Sequence, residues 1–311
     1  MAEIVREPIS FASADNKTTI RGWVWLPEGD PKAVVQLTHG MAEHIERYDE
    51  FARFLAGRGF AVCGHNQIGH GESVTDGRYG CLPEKNGADI LVADVDTLRH
   101  LMQTRFGANL PYFLFGHSLG SFITRAYIAR HGLGLAGAVI CGTGHVPPAT
   151  SKAGNAVCHI IARLKGADAV SGLLNGMGVG AYSKAIKDAA TPLDWLSYNK
   201  ENVERYAADP LCGFDFSAGG YATVTALTGE VCAPSCFDRT PKELPLLFIA
   251  GDGDPVGNMG EGVRTAYQMA RDAGSKDAYC IIYEHMRHEI LNEDDRGKVM
   301  EDVATWLEER L

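Results

Sequence analysis

Tyr112–His131, YFLFGHSLGSFITRAYIARH, is the stretch on which the reading of this chain turns. Its opening apolar run, Tyr112 to Phe115, predicts a short strand buried on both faces, and Leu119 to His131 predicts a helix. Between them stands Gly116-His117-Ser118-Leu119-Gly120, a G-x-S-x-G pattern. The bare pattern is weak, but a strand directly before it and a helix directly after it are what a nucleophile elbow requires. A serine at the tip of so sharp a turn has a strained backbone, and a side chain at either flanking position would collide with neighbouring elements. The helix that begins there aims unpaired N–H groups and a partial positive charge at any oxyanion formed beside it. Ser118 is therefore the candidate nucleophile.

The alternation continues on both sides. Thr19 to Leu26 (TIRGWVWL) predicts a strand, followed by a turn at Gly29-Asp30-Pro31, and Ala33 to Thr38 (AVVQLT) predicts a fully buried strand. A helix is expected over Tyr48–Arg58, a strand over Phe60–Cys63, and a helix over Ala88–Phe106, where Ile90, Leu91, Val95, Leu98, Leu101 and Met102 recur at helical spacing. Ala138 to Cys141 is the next strand. From His145 to Thr240 only helical fragments, loops and many glycines follow. The alternation resumes with strand Leu246–Ala250, a helix near Val263–Ala273, strand Tyr279–Tyr283 and a helix from Arg296. Alternating β and α of this kind predicts a doubly wound α/β sheet with right-handed crossovers. The expected organisation is one α/β core, 1–144 and 241–311, carrying an inserted helical cap at 145–240.

Composition narrows the classes. The 311 residues allow two domains or one large domain with an insertion, at about 150 residues per domain. Lys and Arg number 29 against 39 Asp and Glu, a net charge of -10, which offers no basic stripe for nucleic acid. The opening MAEIVREPIS lacks the apolar core of a signal peptide. The longest stretch free of Asp, Glu, Lys and Arg, His131–Ser151, is too rich in glycine, proline and histidine for a membrane helix. Eight scattered cysteines fit reduced thiols, so a soluble cytoplasmic protein is expected.

A serine nucleophile needs a base and a group that orients the base. In an elbow-bearing sheet they follow in the order Ser, Asp or Glu, His, on loops at carboxyl ends of strands. Gly251-Asp252-Gly253-Asp254-Pro255-Val256 follows the strand Leu246–Ala250, and His285 and His288 follow the strand ending at Tyr283. Asp254 is favoured over Asp252 because Pro255 restricts its backbone to extended conformations; Asp252 has the plainer role of capping the loop. His288, further from its strand, has more loop with which to reach back than His285. The oxyanion hole takes one N–H from the residue after the nucleophile, Leu119, and one from the loop after the strand Ala33–Thr38, where Met41 stands in His39-Gly40-Met41-Ala42-Glu43-His44.

With these pieces placed, the chain resembles the monoacylglycerol lipase and lysophospholipase-like branch of the α/β-hydrolase fold over nearly its whole length. The likeness is carried by His39-Gly40-x-x-Glu43-His44, Gly69-His70-Gly71-x-Ser73, Gly116-His117-Ser118-Leu119-Gly120, Gly251-x-x-Asp254-Pro255-Val256 and Arg287-His288-Glu289. It implies a mostly parallel eight-stranded sheet flanked by helices, and a triad of Ser118, Asp254 and His288. It also implies a hydrolase of carboxylic esters, lipid-like monoesters such as monoacylglycerol or lysophospholipid. Two positions depart from the branch: Asn66 and Ile68 stand where it has an acidic and a basic residue. The triad alone does not separate lipid esters from thioesters, small esters, peptides or acyl transfer. A ligand-binding protein that had lost turnover would show an incomplete triad, and dehalogenases and epoxide hydrolases of this fold carry a carboxylate where Ser118 stands.

No cofactor is expected: no dinucleotide fingerprint follows the first strands, and ester hydrolysis needs none. Metal is also discounted, because Cys232-x-x-x-Cys236 has no partner pair and His285-x-x-His288 lies in a predicted loop. In the cap, Lys152, Arg163, Lys165, Lys184 and Lys187 face only Asp168 and Asp188 between residues 145 and 190. Val157, Ile160, Ile161 and Leu164 recur there at helical spacing, with Leu173, Leu174 and Met177 beyond. The plain expectation is that this apolar face packs on the core and leaves a solvated basic face. The sharper one is transient contact with a lipid surface.

Overall fold

In the computed structural model, which describes residues 4–187 and 189–311, eight strands form one sheet in the order β1-β2-β4-β3-β5-β6-β7-β8. They are β1 (Val5–Ala12), β2 (Thr19–Leu26), β3 (Ala33–Thr38), β4 (Phe60–Asn66), β5 (Tyr112–His117), β6 (Gly137–Cys141), β7 (Leu246–Gly251) and β8 (Ala278–Tyr283). β1 and β2 pair antiparallel, as do β2 and β4; every other pairing is parallel. The helices are α1 (Asp49–Gly57), α2 (Gly87–Phe106), α3 (Leu119–His131), α4 (Pro148–Lys165), α5 (Gly172–Met177), α6 (Val179–Ala185), α7 (Lys200–Ala208), α8 (Ala218–Val231), α9 (Pro234–Arg239), α10 (Glu261–Asp272) and α11 (Arg296–Glu308).

The continuous apolar strands reflect two cores. Along β5, Tyr112 and Leu114 join one cluster with Leu98 of α2 and Ile123 of α3, while Phe113 and Phe115 join another with Phe51 of α1 and Val303 of α11. Strand alternation thus sends successive side chains into opposite layers, and both layers are apolar because helices cover both faces.

β1 has no counterpart among the predicted strands, which begin at Thr19. It is an edge strand paired only with β2, its burial is partial, and it carries Arg6, Glu7 and Pro8. Proline is tolerated at an edge, where no second neighbour needs its missing N–H. The pattern that marks buried strands is therefore absent.

Six helices, α4 to α9, lie between β6 and β7, and the one β pairing among the described residues there is an isolated Val170–Ser217 bridge. α8 packs against α4, α2 and α3. The apolar stripe expected to face the core does so only in part: Val157 and Ile161 are half-buried and pack against it, but Ile160 and Leu164 do not. Ser151, Cys158 and Ala162 are the buried positions of α4, whereas Ile160 is 58% and Leu164 78% exposed. The buried face is built of small residues and held by Asn155, whose amide donates to Ala222 O (2.8 Å) and Thr225 Oγ1 (3.0 Å) on α8. Close helix approach has selected small side chains at the centre of the buried face, with Val157 and Ile161 at its margin and Ile160 and Leu164 outside.

Candidate active site

Ser118 is the residue between β5 and α3, with φ 54° and ψ −118°. That strained conformation is held from both ends: Ser118 N–H donates to Cys141 O on β6 (3.0 Å), and its carbonyl accepts from Ser121 N (2.9 Å) and Ser121 Oγ (2.6 Å). The flanking glycines are sterically required. A Cβ on Gly120 would run into Thr38 O, and one on Gly116 would meet Gly120 O and Thr124 Oγ1.

Loops at the carboxyl edge of the sheet bring the next two residues together. Asp254, fully buried, follows β7, and its Oδ2 lies 3.0 Å from His288 Nδ1 on the loop after β8. Its Oδ1 accepts from Val256 N (2.9 Å), which fixes the carboxylate plane. The alternatives are elsewhere: Asp252 and His285 are exposed, and no hydrogen bond joins either to the other or to Ser118 among the described residues. His288 is 2% exposed. The hydrogen bond to Asp254 directs Nδ1–H at the carboxylate and leaves Nε2 as the free ring nitrogen.

The loop after β3 is drawn tight by Glu43, whose Oε1 accepts from Gly40 N (2.5 Å) and Tyr48 Oη (2.8 Å). Ala42 N donates to His70 Nε2 (3.3 Å), and Ala42 O accepts from Gly213 N (2.9 Å) and Tyr206 Oη (2.8 Å). Neither Met41 N–H nor Leu119 N–H has an acceptor among the described residues, and both residues line the cavity that holds Ser118. Two free donors at one cavity wall are what an oxyanion hole requires.

Behind the cavity lies a buried charge cluster that the motifs do not reveal. Arg47 Nη1 reaches Glu43 Oε2 (2.9 Å) and Glu289 Oε1 (2.5 Å), and Nη2 reaches Glu289 Oε2 (2.7 Å). Burial alone would raise the Glu43 carboxyl, but His117 and Arg47 outweigh it and hold it well below the usual range. Burial likewise opposes a charge on His117, yet its partnership with Glu43 leaves its pKa raised. His117 Nε2–H donates to His288 O (3.1 Å), so the same cluster supports the histidine loop. Asn66, one of the two departures from the resembled branch, accepts from Ile45 N (2.9 Å) and donates to Glu46 Oε1 (3.2 Å). The negative charge at this place comes from Glu46, and Ile68 is simply buried.

Three further histidines are packed as neutral groups. Burial pushes His39 and His65 down to about 4 and His70 down to about 3, from 6.5. His70 Nδ1–H donates to Ile68 O (2.9 Å), and His39 Nε2 accepts from Gln67 N (3.1 Å). Because these folded-state values are depressed, their contribution is complete above pH 6.5 and is lost as pH falls through 4. Each histidine costs about 2 kcal/mol between pH 6.5 and 5. Thermal melts should therefore show Tm falling over that window, against a smaller opposing gain from Asp94, whose buried carboxyl is raised to about 6 and takes up its proton there; a Tm constant from pH 7 to 5 would contradict it.

The cavity, about 110 Å³, is lined by Met41, Ser118, Leu119 and His288 on the sheet side. Val179, Tyr182, Leu193, Trp195 and Leu196 close it from the helical segment. The Trp195 ring lies 5.2 Å from that of His288 and 5.3 Å from that of Tyr182. Trp195 is fixed over the histidine loop by Glu289 N–H, which donates to Leu196 O (2.8 Å), and by Glu293, which accepts from Ser197 Oγ (2.7 Å). Neither Trp195 nor Arg47 stood out in the sequence, since no local spacing marks a residue that acts by reaching another element.

Comparison with known proteins agrees with this geometry. The chain matches the family described as "Serine aminopeptidase, S33" over residues 29–295. It is 27% identical over 315 residues to a monoacylglycerol lipase of Mycolicibacterium smegmatis, covering 99% of each chain. It is 27% identical over 299 residues to the monoglyceride lipase of Homo sapiens, covering 92% of this chain and 86% of that one. A highly thermostable carboxyl esterase from Bacillus coagulans, solved with glycerol, superposes with a TM-score of 0.91 at 29% identity, covering 98% of this chain and 99% of that one. With an elbow serine on an eight-stranded α/β-hydrolase sheet and a match spanning most of its length, the chain belongs to the serine aminopeptidase S33 family of hydrolases.

Proposed function

We propose that this protein hydrolyses carboxylic monoesters of long-chain acids, of which monoacylglycerol is the type, through an acyl-enzyme on Ser118. His288 takes the Ser118 proton and later delivers it to the leaving alkoxide. Asp254 holds the imidazole in the required tautomer and stabilises its charged form. Met41 N–H and Leu119 N–H hold the oxyanion, and water releases the acid. The observation that carries the reading is that Ser118 and the Asp254-paired His288 open on one mainly apolar cavity. The relatives named as monoacylglycerol and monoglyceride lipases support it.

The family description raises a peptidase as the second reading, and Asp215 at the cavity rim is exposed. An aminopeptidase needs an unpaired carboxylate for the substrate's ammonium group; Glu43 and Glu289, the buried carboxylates of the cavity wall, are both taken by Arg47, which leaves the solvated Asp215 at the rim to fill that part. The test is kcat/KM for dodecanoyl and butanoyl p-nitrophenyl esters beside an aminoacyl p-nitroanilide. Burying even a few of the extra methylenes should favour the dodecanoyl ester by about tenfold or more. A preference for the butanoyl ester, or for the anilide, would overturn the assignment.

The helical segment 145–240 is read as a cap that meets lipid. Exposed Ile160 and Leu164 share α4 with the exposed Lys152, Arg163 and Lys165, and Leu173 and Met177 are exposed on α5, a combination suited to an anionic lipid–water interface. No described helix is long and apolar enough to cross a membrane. Eight free thiols support action in the reducing cytoplasm.

A further inference from the structure

We propose that His44, Asp209 and Cys212 bind one soft divalent cation of the zinc class, behind the wall of the cavity, where His44 adjoins Glu43 and Cys212 adjoins Gly213 of its lining. One ligand atom from each, the His44 ring nitrogen, an Asp209 carboxylate oxygen and the Cys212 sulfur, lie within 4.8 Å of one another. His44 Nε2 is 2.8 Å from Asp209 Oδ2. Tetrahedral zinc with these ligands needs edges of about 3.3–3.7 Å, so the His44–Asp209 pair, at 2.8 Å, must part slightly and any wider spacing, up to the 4.8 Å bound, must close by about 1 Å. Imidazole, carboxylate and thiolate together favour zinc or cadmium over magnesium or calcium.

A second observation points the same way. The other ring nitrogen, His44 Nδ1, lies 2.7 Å from Glu46 Oε2, and Glu46 is itself held by Trp23 Nε1 (2.7 Å). A carboxylate that takes the Nδ1–H and aims Nε2 at the ion is the usual support of a metal-binding histidine. Asp209 is equally prepared, with Oδ1 accepting from Leu211 N (2.8 Å) and Oδ2 turned to His44. Binding would replace the proton on His44 Nε2 and the Cys212 thiol proton, both released to water.

The site joins the turn after α7 to the loop after β3. Gly213 N–H already donates to Ala42 O there (2.9 Å), one residue from Met41. A bound cation would fasten this wall, so its first effect is on stability, and the inference does not rest on the ester-hydrolase reading.

The test is titration of metal-free protein with Cd²⁺, followed by thiolate-to-cadmium charge-transfer absorbance, and melts with Zn²⁺. One equivalent of Cd²⁺ should bind, and Zn²⁺ at 100 times its Kd should raise Tm by about 5 °C. Cys212→Ser should remove the band without lowering the metal-free Tm, and Glu46→Gln should weaken binding by about 10- to 100-fold. Asp209→Asn, which keeps an acceptor for Leu211 N, should weaken it as well. Should Cys212→Ser melt lower than the parent, Cys212→Ala serves in its place. A band that survives replacement of Cys212 would place the ion on another thiol and overturn the proposal, as would a Zn²⁺ stabilisation equal in parent and variants.

Discussion

Ser118→Ala is expected to lower kcat/KM by about 10⁵- to 10⁶-fold while leaving the fold intact. In the proposed reaction the hydroxyl oxygen is the atom that bonds the acyl carbon, so no other group can take its part. The Ser118 hydroxyl makes no hydrogen bond to another described residue, and the strained backbone is held by Cys141 O and Ser121, which alanine leaves in place. The change in stability should thus stay within about 0.5 kcal/mol. Asp254→Asn is the companion: an amide cannot fix the Nδ1–H tautomer of His288 as a carboxylate does, and the loss should be about 10⁴-fold. Both effects are read from kcat/KM beside a thermal melt. Turnover retained in Ser118→Ala with a normal Tm would show that the nucleophile is elsewhere.

Arg47→Met is the change expected to harm the fold most. The guanidinium side chain is 11% exposed and is shared by Glu43 and Glu289, whose side chains are 4% and 3% exposed. It also lies over the Tyr206 ring at 4.8 Å. Methionine fills the volume but leaves Glu289 without its cation and Glu43 with His117 as its remaining positive partner. Breaking such a cluster costs about 3–5 kcal/mol, which for a chain of this length corresponds to a Tm lower by about 5–8 °C. The carboxylates escape by taking up protons, so the deficit should shrink as pH falls from 7 towards 5. Glu43 would then grip Gly40 N less firmly, and turnover should fall together with stability. Arg47→Lys keeps the charge and loses the two-pronged geometry, and should fall between. A Tm within 2 °C of the parent for Arg47→Met, at a precision of about 1 °C, would refute this account of the cluster.

What the sequence revealed and what it hid divide along the range of the interaction. Ser118, Gly116 and Gly120 were legible because the elbow's requirements are local: a strand, a strained residue, a helix. Met41 and Leu119 were placed by their position in the chain relative to β3 and α3. The choice of Asp254 over Asp252, and of His288 over His285, was only weighted by Pro255 and by loop length. It is the burial of one member of each pair, and the 3.0 Å between them, that separates them in space. Arg47 gave no signal, because Glu289 lies 242 residues further on and only the fold brings them together. Trp195 was hidden for the same reason. β1 was missed because an edge strand keeps charge and proline that a central strand cannot. On α4 the periodicity is real but the facing is shifted: Val157 and Ile161 reach the core, while packing against α8 puts small residues at the centre and leaves Ile160 and Leu164 exposed.

The measurement closest to the central claim is the intact mass of the protein after reaction with a dodecyl fluorophosphonate, followed by peptide mapping. Attack by an activated serine displaces fluoride and leaves one alkylphosphonyl group on the hydroxyl oxygen. One adduct per chain, mapped to Ser118, absent from Ser118→Ala and slowed strongly in Asp254→Asn, is the result this account requires. An unmodified chain, or an adduct on any other residue that persists in Ser118→Ala, would contradict it.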